Sequence, residues 1–144
     1  MSGFRFSLEK VRTYKASLEE QLKAQLAAAR RCQEEEETRL EHYRQVRAGC
    51  PAIQGAVGVE ELLQEAALAE ALDSCISSQR EKVARARLAV REKCVQVQGA
   101  MQERKILDRL YDRQMAVYRY NMAREEQKQL DDAAGNRFYR CSGE

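Results

Sequence analysis

Tryptophan is absent, proline and histidine occur once each, and aromatics make up only 6% of the 144 residues. A compact globule needs large apolar side chains to fill its core, and this chain has few. A single histidine, His42, removes most metal-binding and acid–base chemistry at the outset. The five cysteines (Cys32, Cys50, Cys75, Cys94, Cys141) are odd in number, widely spread and form no CxxC pair. Neither a disulfide framework nor a zinc site follows from them, and reduced thiols in a cytosolic protein are expected. No apolar run is long enough for a signal peptide in Met1 to Lys10, and nothing elsewhere approaches a membrane span. Charge of one sign is lacking too. The 25 basic and 23 acidic residues leave a formal charge of +2, which argues for a salt-bridged surface over a nucleic-acid-binding one.

What is present in quantity is Ala, Glu, Gln, Leu, Lys and Arg, with 33% of residues charged. This is the composition of long helices with a narrow apolar seam. Helical character breaks once, at 48–58, where Gly49, Pro51, Gly55 and Gly58 fall together. One helix is expected over about 7–47, capped by Ser7 and stapled by Phe6 onto Val11. Its stripe reads Leu8, Val11, Leu18, Leu22, Leu26, Ala29, Leu40, Tyr43 and Val46, interrupted by a solvated, locally weakened acidic run, Glu34 to Glu37. A second helix is expected over about 59–134, with Glu60 and Glu61 at the positive end of its dipole. Its seam reads Leu62, Ala66, Ala69, Leu72, Ile76, Val83, Ala86, Val90, Val97 and Met101. It continues less cleanly through Leu107, Leu110, Tyr111, Val117 and Met122. Gly135-Asn136 supplies a stop, and 135–144 a flexible tail.

A narrow apolar stripe cannot remain in water alone, so the two helices close on each other. The expected fold is all-α, a single coiled-coil domain: an antiparallel hairpin with the second helix the longer. At 1.5 Å per residue the arms span about 60 Å and about 110 Å. Closure around Ile53 sets Phe4 opposite Gln102 and brings Glu19 and Glu20 near Arg85 and Arg87. Residues from about Glu103 to Ala134 then overhang without a partner in the chain. Tyr111, Tyr118 and Tyr120 on that overhang suit aromatic anchors at an interface, the alternative being packing against Phe4 and Phe6. Arg104, Lys105, Arg109, Arg113 and Arg119 suit docking onto acidic loops, or exposed pairing with Glu103, Asp108 and Asp112.

Three stretches resemble the FliJ family of bacterial flagellar type III export. They are Glu125-Glu126-Gln127-Lys128-Gln129-Leu130-Asp131-Asp132-Ala133-Ala134 with Arg137-Phe138, Glu103 to Gln114, and Phe4-Arg5-Phe6-x-Leu8-Glu9-Lys10-Val11. The first is the specific one, because its identities lie off the seam. The resemblance implies a non-enzymatic stalk, similar to the paired helices of the rotary ATP synthase gamma subunit. Such a stalk enters the hexameric export ATPase ring, promotes its assembly and activity, and couples it to the export gate and substrate chaperones. The implied partners are therefore that hexamer, the cytosolic domain of the gate membrane protein, and export chaperones. The implied location is cytoplasmic, peripheral to the inner membrane through the export apparatus. By the same resemblance the gate surface falls on Leu40, Tyr43, Leu68, Leu72, Cys75 and Gln79. The ring-binding end falls on Arg104, Lys105, Leu107, Leu110, Tyr111, Arg113, Gln114, Tyr118, Gln127 and Lys128. Leu68 discriminates best between seam and surface, since it lies between the seam positions Ala66 and Ala69.

Other readings fit less. The equivalent stalk of a virulence type III secretion system differs in partner but not in physics. A generic coiled-coil scaffold fits the periodicity alone. A DNA-binding helix is suggested by Arg80, Lys82, Arg85, Arg87, Arg91 and Lys93, but Val83, Ala86 and Val90 commit that segment's apolar face to a seam. No glycine-rich phosphate loop and no nucleophile with an orienting base is present, so neither an enzyme nor a cofactor or metal site is expected.

Overall fold

A computed structural model describes residues 3–50 and 55–141, and among these no strand is found. Helix α1 spans Glu9–Ala48 and helix α2 spans Val59–Cys141. They run antiparallel, since Arg47 meets Asp73 and, further from the turn, Gln25 meets Lys93. Each helix has acid in its first turn and base in its last, Glu9 with Arg47 and Glu60 and Glu61 with Arg140, complementing the backbone dipole. At the α1 start, the Arg12 amide donates to the Leu8 carbonyl at 2.9 Å, so Leu8 occupies the cap and Ser7 the turn before it. At the other end the Gly49 amide closes on the Gln45 carbonyl at 2.9 Å. Gly55, with φ at 109°, is in the left-handed region that glycine alone enters freely. The expected turn at Pro51 and Ile53 lies outside the described residues.

The second helix is longer than its pattern suggests. Gly135-Asn136 does not stop it, and α2 continues to Cys141; of the expected tail, residues 142–144 lie outside the described residues. A glycine inside a helix costs only about 1 kcal/mol relative to alanine, and an established helix propagates through it. Ties one turn apart hold the preceding stretch, Lys128 to Glu125 at 2.8 Å and Gln127 to Asp131 at 2.8 Å.

Contacts group the chain into two units, Leu18–Ala100 and Met1–Ser17 with Met101–Glu144. In the first, Leu40, Ile76 and Val83 form a buried cluster with Tyr43 packed against it, and Val97 and Ala100 are buried further along α2. Each large side chain there contributes about 1.5–3 kcal/mol by leaving water. In this unit the seam of α2 runs through the less exposed positions Ala69, Leu72, Ile76, Gln79, Val83, Ala86, Val90, Lys93, Val97 and Ala100. Their steps of three and four are the spacing of a two-helix coiled coil. Met101, expected on this seam, is 36% exposed, because the seam passes through Ala100 instead.

The pairing register differs from the expected one. Closure around Ile53 sets Arg47 opposite Val59, whereas Arg47 Nε donates to Asp73 Oδ1 at 3.0 Å. Arg87 pairs with Glu37 and Arg85 with Glu81, while the expected cross-helix partner Glu19 pairs with Lys23 on its own helix at 2.7 Å. About ten connecting residues can span roughly 33 Å, ample to run back beside three helical turns of about 16 Å, so loop length does not force a tight closure. In consequence α2 from Val59 to about Glu70 extends past the end of α1, with residues 59–68 all exposed.

Polar side chains share the seam. Gln79 is 3% exposed, and its Nε2 donates to the Glu36 main-chain oxygen at 3.0 Å and to a Glu36 carboxylate oxygen. Glu19 is equally buried, and its hydrogen bond, ahead of that from Glu20, holds the Lys23 ammonium above its ordinary value. The acidic run is therefore not uniformly solvated. Glu34 and Glu35 face water, but Glu36 and Glu37 are half-buried and bound to α2. Hydrogen bonds from Gln33, and then from Arg87, hold the Glu37 carboxyl below its ordinary range.

In the other unit the extended N-terminal segment lies on α2. The Phe4 ring packs against Tyr111 and Tyr118, each at 5.5 Å between centroids, and Phe6 stands edge-on to Tyr111 at 5.4 Å. Phe6 is buried and Val11 is 43% exposed, so Phe6 is anchored on α2. Arg12 lies over the Tyr111 ring at 4.3 Å while its Nε donates to Asp108 at 2.7 Å. Lys15 pairs with Glu103 at 2.6 Å. The stretch of α2 expected to overhang from Glu103 is thus occupied as far as Tyr118. Every described residue from 123 to 141 is exposed except Gly135.

Candidate functional site

The six positions assigned to the gate surface all lie in the Leu18–Ala100 unit, but at different depths. Leu40 and Gln79 are buried between the helices, Tyr43 and Leu72 are half-buried at the groove edge, and Leu68 and Cys75 are exposed. What they present outward is thus Leu68 and Cys75, with the edges of Tyr43 and Leu72. Leu68, 55% exposed, stands on the stretch of α2 that α1 does not cover. Arg44 and Arg47 of α1 line a groove of their own with Asp73, Ile76 and Arg80 of α2.

The ten positions assigned to the ring-binding end divide in the same way. Leu107, Leu110, Tyr111, Gln114 and Tyr118 are half-buried, and Tyr111 and Tyr118 are taken up by Phe4 and Phe6. Arg104 sits 3.7 Å from Asp108 at helical spacing. Lys105, Arg113, Gln127 and Lys128 are exposed, as are Arg109, Arg119 and Tyr120. Lys128 is held above its ordinary value by its hydrogen bond to Glu125.

One feature is the alternative weighed above for the tyrosines, and one had no place in the sequence pattern. The first is the packing of Tyr111 and Tyr118 against Phe4 and Phe6, with Arg12, as a clasp on the chain's own N-terminal segment. Its signal was the aromatic pair Phe4-x-Phe6, together with Arg104, Leu107, Tyr111, Gln114 and Tyr118 at steps of three and four. The other is the bare start of α2, with Val59 at 75% and Leu63 at 65% exposed.

Among the described residues the five cysteines are unbridged, and no group of three or more His, Cys, Asp or Glu comes together to hold a metal ion. His42 is exposed, its ring 6.2 Å from that of Tyr43. No helix among the described residues is long and apolar enough to cross a membrane. What the arrangement offers is surface: in the Leu18–Ala100 unit, the start of α2 that α1 does not cover, and in the other unit, the turns of α2 that follow the N-terminal clasp.

No curated protein and no solved structure matches the chain. The family described as Flagellar FliJ protein matches over residues 4–143, nearly its whole length and in keeping with two antiparallel helices of which the second is longer. The chain belongs to the FliJ family, and so among the components of the flagellar export apparatus.

Proposed function

We propose that the chain is a stalk that enters the ring of the flagellar export ATPase and couples it to the export gate. The observation that carries this reading is the family match together with the last turns of α2, exposed from 123 to 141 and bearing the family-like Glu125 to Ala134 run. Leu130, Phe138 and Tyr139 are there 65%, 71% and 78% exposed, apolar groups that would leave water on entering a ring. A single asymmetric helix pair in a six-fold ring cannot touch all subunits alike, so it biases their nucleotide states differently. ATP hydrolysis belongs to the partner. In the Leu18–Ala100 unit, the face around Leu68, Leu72 and Cys75 is the surface for the cytosolic domain of the gate, and empty export chaperones are further clients of the same component.

Adding the chain to a purified flagellar export ATPase should raise both hexamer formation and turnover. A chain ending after Asn121 keeps the described interhelix contacts, so it should retain its helicity and lose that stimulation. Unchanged ATPase in the presence of the full chain removes the stalk reading, and normal stimulation by the shortened chain assigns the wrong end. The gate surface is tested separately by Leu68→Asp. An exposed leucine replaced by aspartate should leave helicity unchanged and weaken binding to the gate's cytosolic domain. Undiminished gate binding places that surface elsewhere.

A further inference from the structure

The seam between the helices does not end where α1 ends. On α2 it continues backward from Leu72 through Ala69, Ala66, Leu62 and Val59, again in steps of three and four. Val59 is 75%, Leu62 44% and Leu63 65% exposed. Among the described residues, the last rung is Arg47 on Asp73 at 3.0 Å. Beyond it, about three turns of α2, a length of roughly 18 Å, are exposed with no described residue of α1 beside them.

The charges beside this open seam select its occupant. From Val59 to Asp73 every ionisable residue is acidic: Glu60, Glu61, Glu65, Glu70 and Asp73. Among the described residues none of the four glutamates forms an ion pair, and the connecting segment 49–58 contains no charged residue to answer them. Coiled-coil partners are chosen by opposite charges flanking an apolar seam, as the Arg47 rung already does once. A second copy of this chain is a poor occupant, because the same face of the copy brings glutamates against glutamates. The copy's basic stretch from Arg80 to Lys93 has its apolar face closed inside its own hairpin, where Val83 is 4% exposed. Nucleic acid and anionic lipid are repelled by the same acids.

We infer that the start of α2, Val59 to Glu70, is a docking site for a cationic amphipathic helix of another protein, which takes the place α1 leaves vacant and sets lysines or arginines against Glu60, Glu61, Glu65 and Glu70. The stretch includes Leu68, one of the gate positions named above, whereas Val59, Leu62 and Leu63 lie outside them, and the assignment holds whether or not the ATPase reading does.

The experiment uses the full chain and a labelled synthetic helix of about three heptads with leucine at both seam positions and lysine on both flanks. Its mirror in charge, with glutamate flanks, is the control. Fluorescence anisotropy should show saturable binding of the lysine peptide, weakened by salt, and none of the glutamate peptide. The combined change Glu60→Lys, Glu61→Lys and Glu65→Lys should weaken binding at least about tenfold and admit the glutamate peptide. Leu62→Ser with Leu63→Ser should abolish binding at unchanged far-ultraviolet dichroism, both residues being exposed. Equal binding of the two peptides, or no binding of either, overturns the proposal. So does sedimentation showing a dimer of the chain that the two serines disperse. No export component enters this assay, so its failure is separate from failure of the stalk reading.

Discussion

Val83→Asp is expected to melt the helix pair. Val83 is the most buried apolar residue, 4% exposed, and sits in the cluster of Leu40 and Ile76 with Tyr43 beside it. The valine loses its burial, and a carboxylate must either stay charged among apolar neighbours or take up a proton. The cost is at least about 3 kcal/mol, against a total stability of about 5–15 kcal/mol for a domain. Thermal melting followed by circular dichroism should shift down by about 10 °C or more. The control is Val95→Asp on the same helix, 67% exposed, which should melt within about 2 °C of the parent. If the two variants melt together, the seam does not run through Val83.

The second large effect concerns Phe6. It is 8% exposed and edge-on to Tyr111, which also receives Phe4 and the Arg12 guanidinium. Phe6→Ala removes the burial and the ring contact, a loss of about 3 kcal/mol. The segment before α1 has little else that is buried, so the loss should act locally. Release of Phe4 from Tyr111 and Tyr118 should follow, and trypsin should cut after Arg5 and Lys10 many times faster than in the parent chain. Phe6→Leu, which keeps most of the buried area, should recover most of the protection. Cleavage at the parental rate in Phe6→Ala is the result that contradicts the clasp.

The helices, their order and the first residue of α2 were legible because they rest on strong local terms: propensity, glycine and proline at the break, and apolar residues at helical spacing. Leu40, Tyr43, Leu72, Ile76, Val83, Ala86, Val90 and Val97 stand on the seam as their spacing implied. The register was not legible. A connection of about ten residues closes over many registers at nearly equal entropy, and exposed ion pairs are worth at most about 1 kcal/mol each, too little to choose among them by eye. Apolar spacing alone does not show the whole seam. On α1 the seam passes through Arg12, Lys15, Gln33 and Glu36, whose partners on α2 cannot be named until the register is known. The tail was misjudged for the reverse reason: Gly135-Asn136 is a strong local stop, but a helix already long before reaching it continues. Among the candidate positions, Leu68 is exposed together with every residue from 59 to 68, so the missing α1 and not its phase sets its exposure. Gln79, a polar residue, gave no sign that it would be among the most buried side chains in the molecule.

That burial has a mechanical consequence. Gln79 finds the Glu36 carboxylate at one setting of the helices, and a slip of either helix by a heptad would set its amide against Ala29 or Tyr43, which offer a main-chain carbonyl but no carboxylate. Apolar rungs such as Val83 or Val97 would tolerate such a ratchet, since one aliphatic hole is much like the next. Between Leu18 and Ala100, then, tension or torque applied to one helix passes to the other through a detent at Gln79 instead of dissipating as sliding.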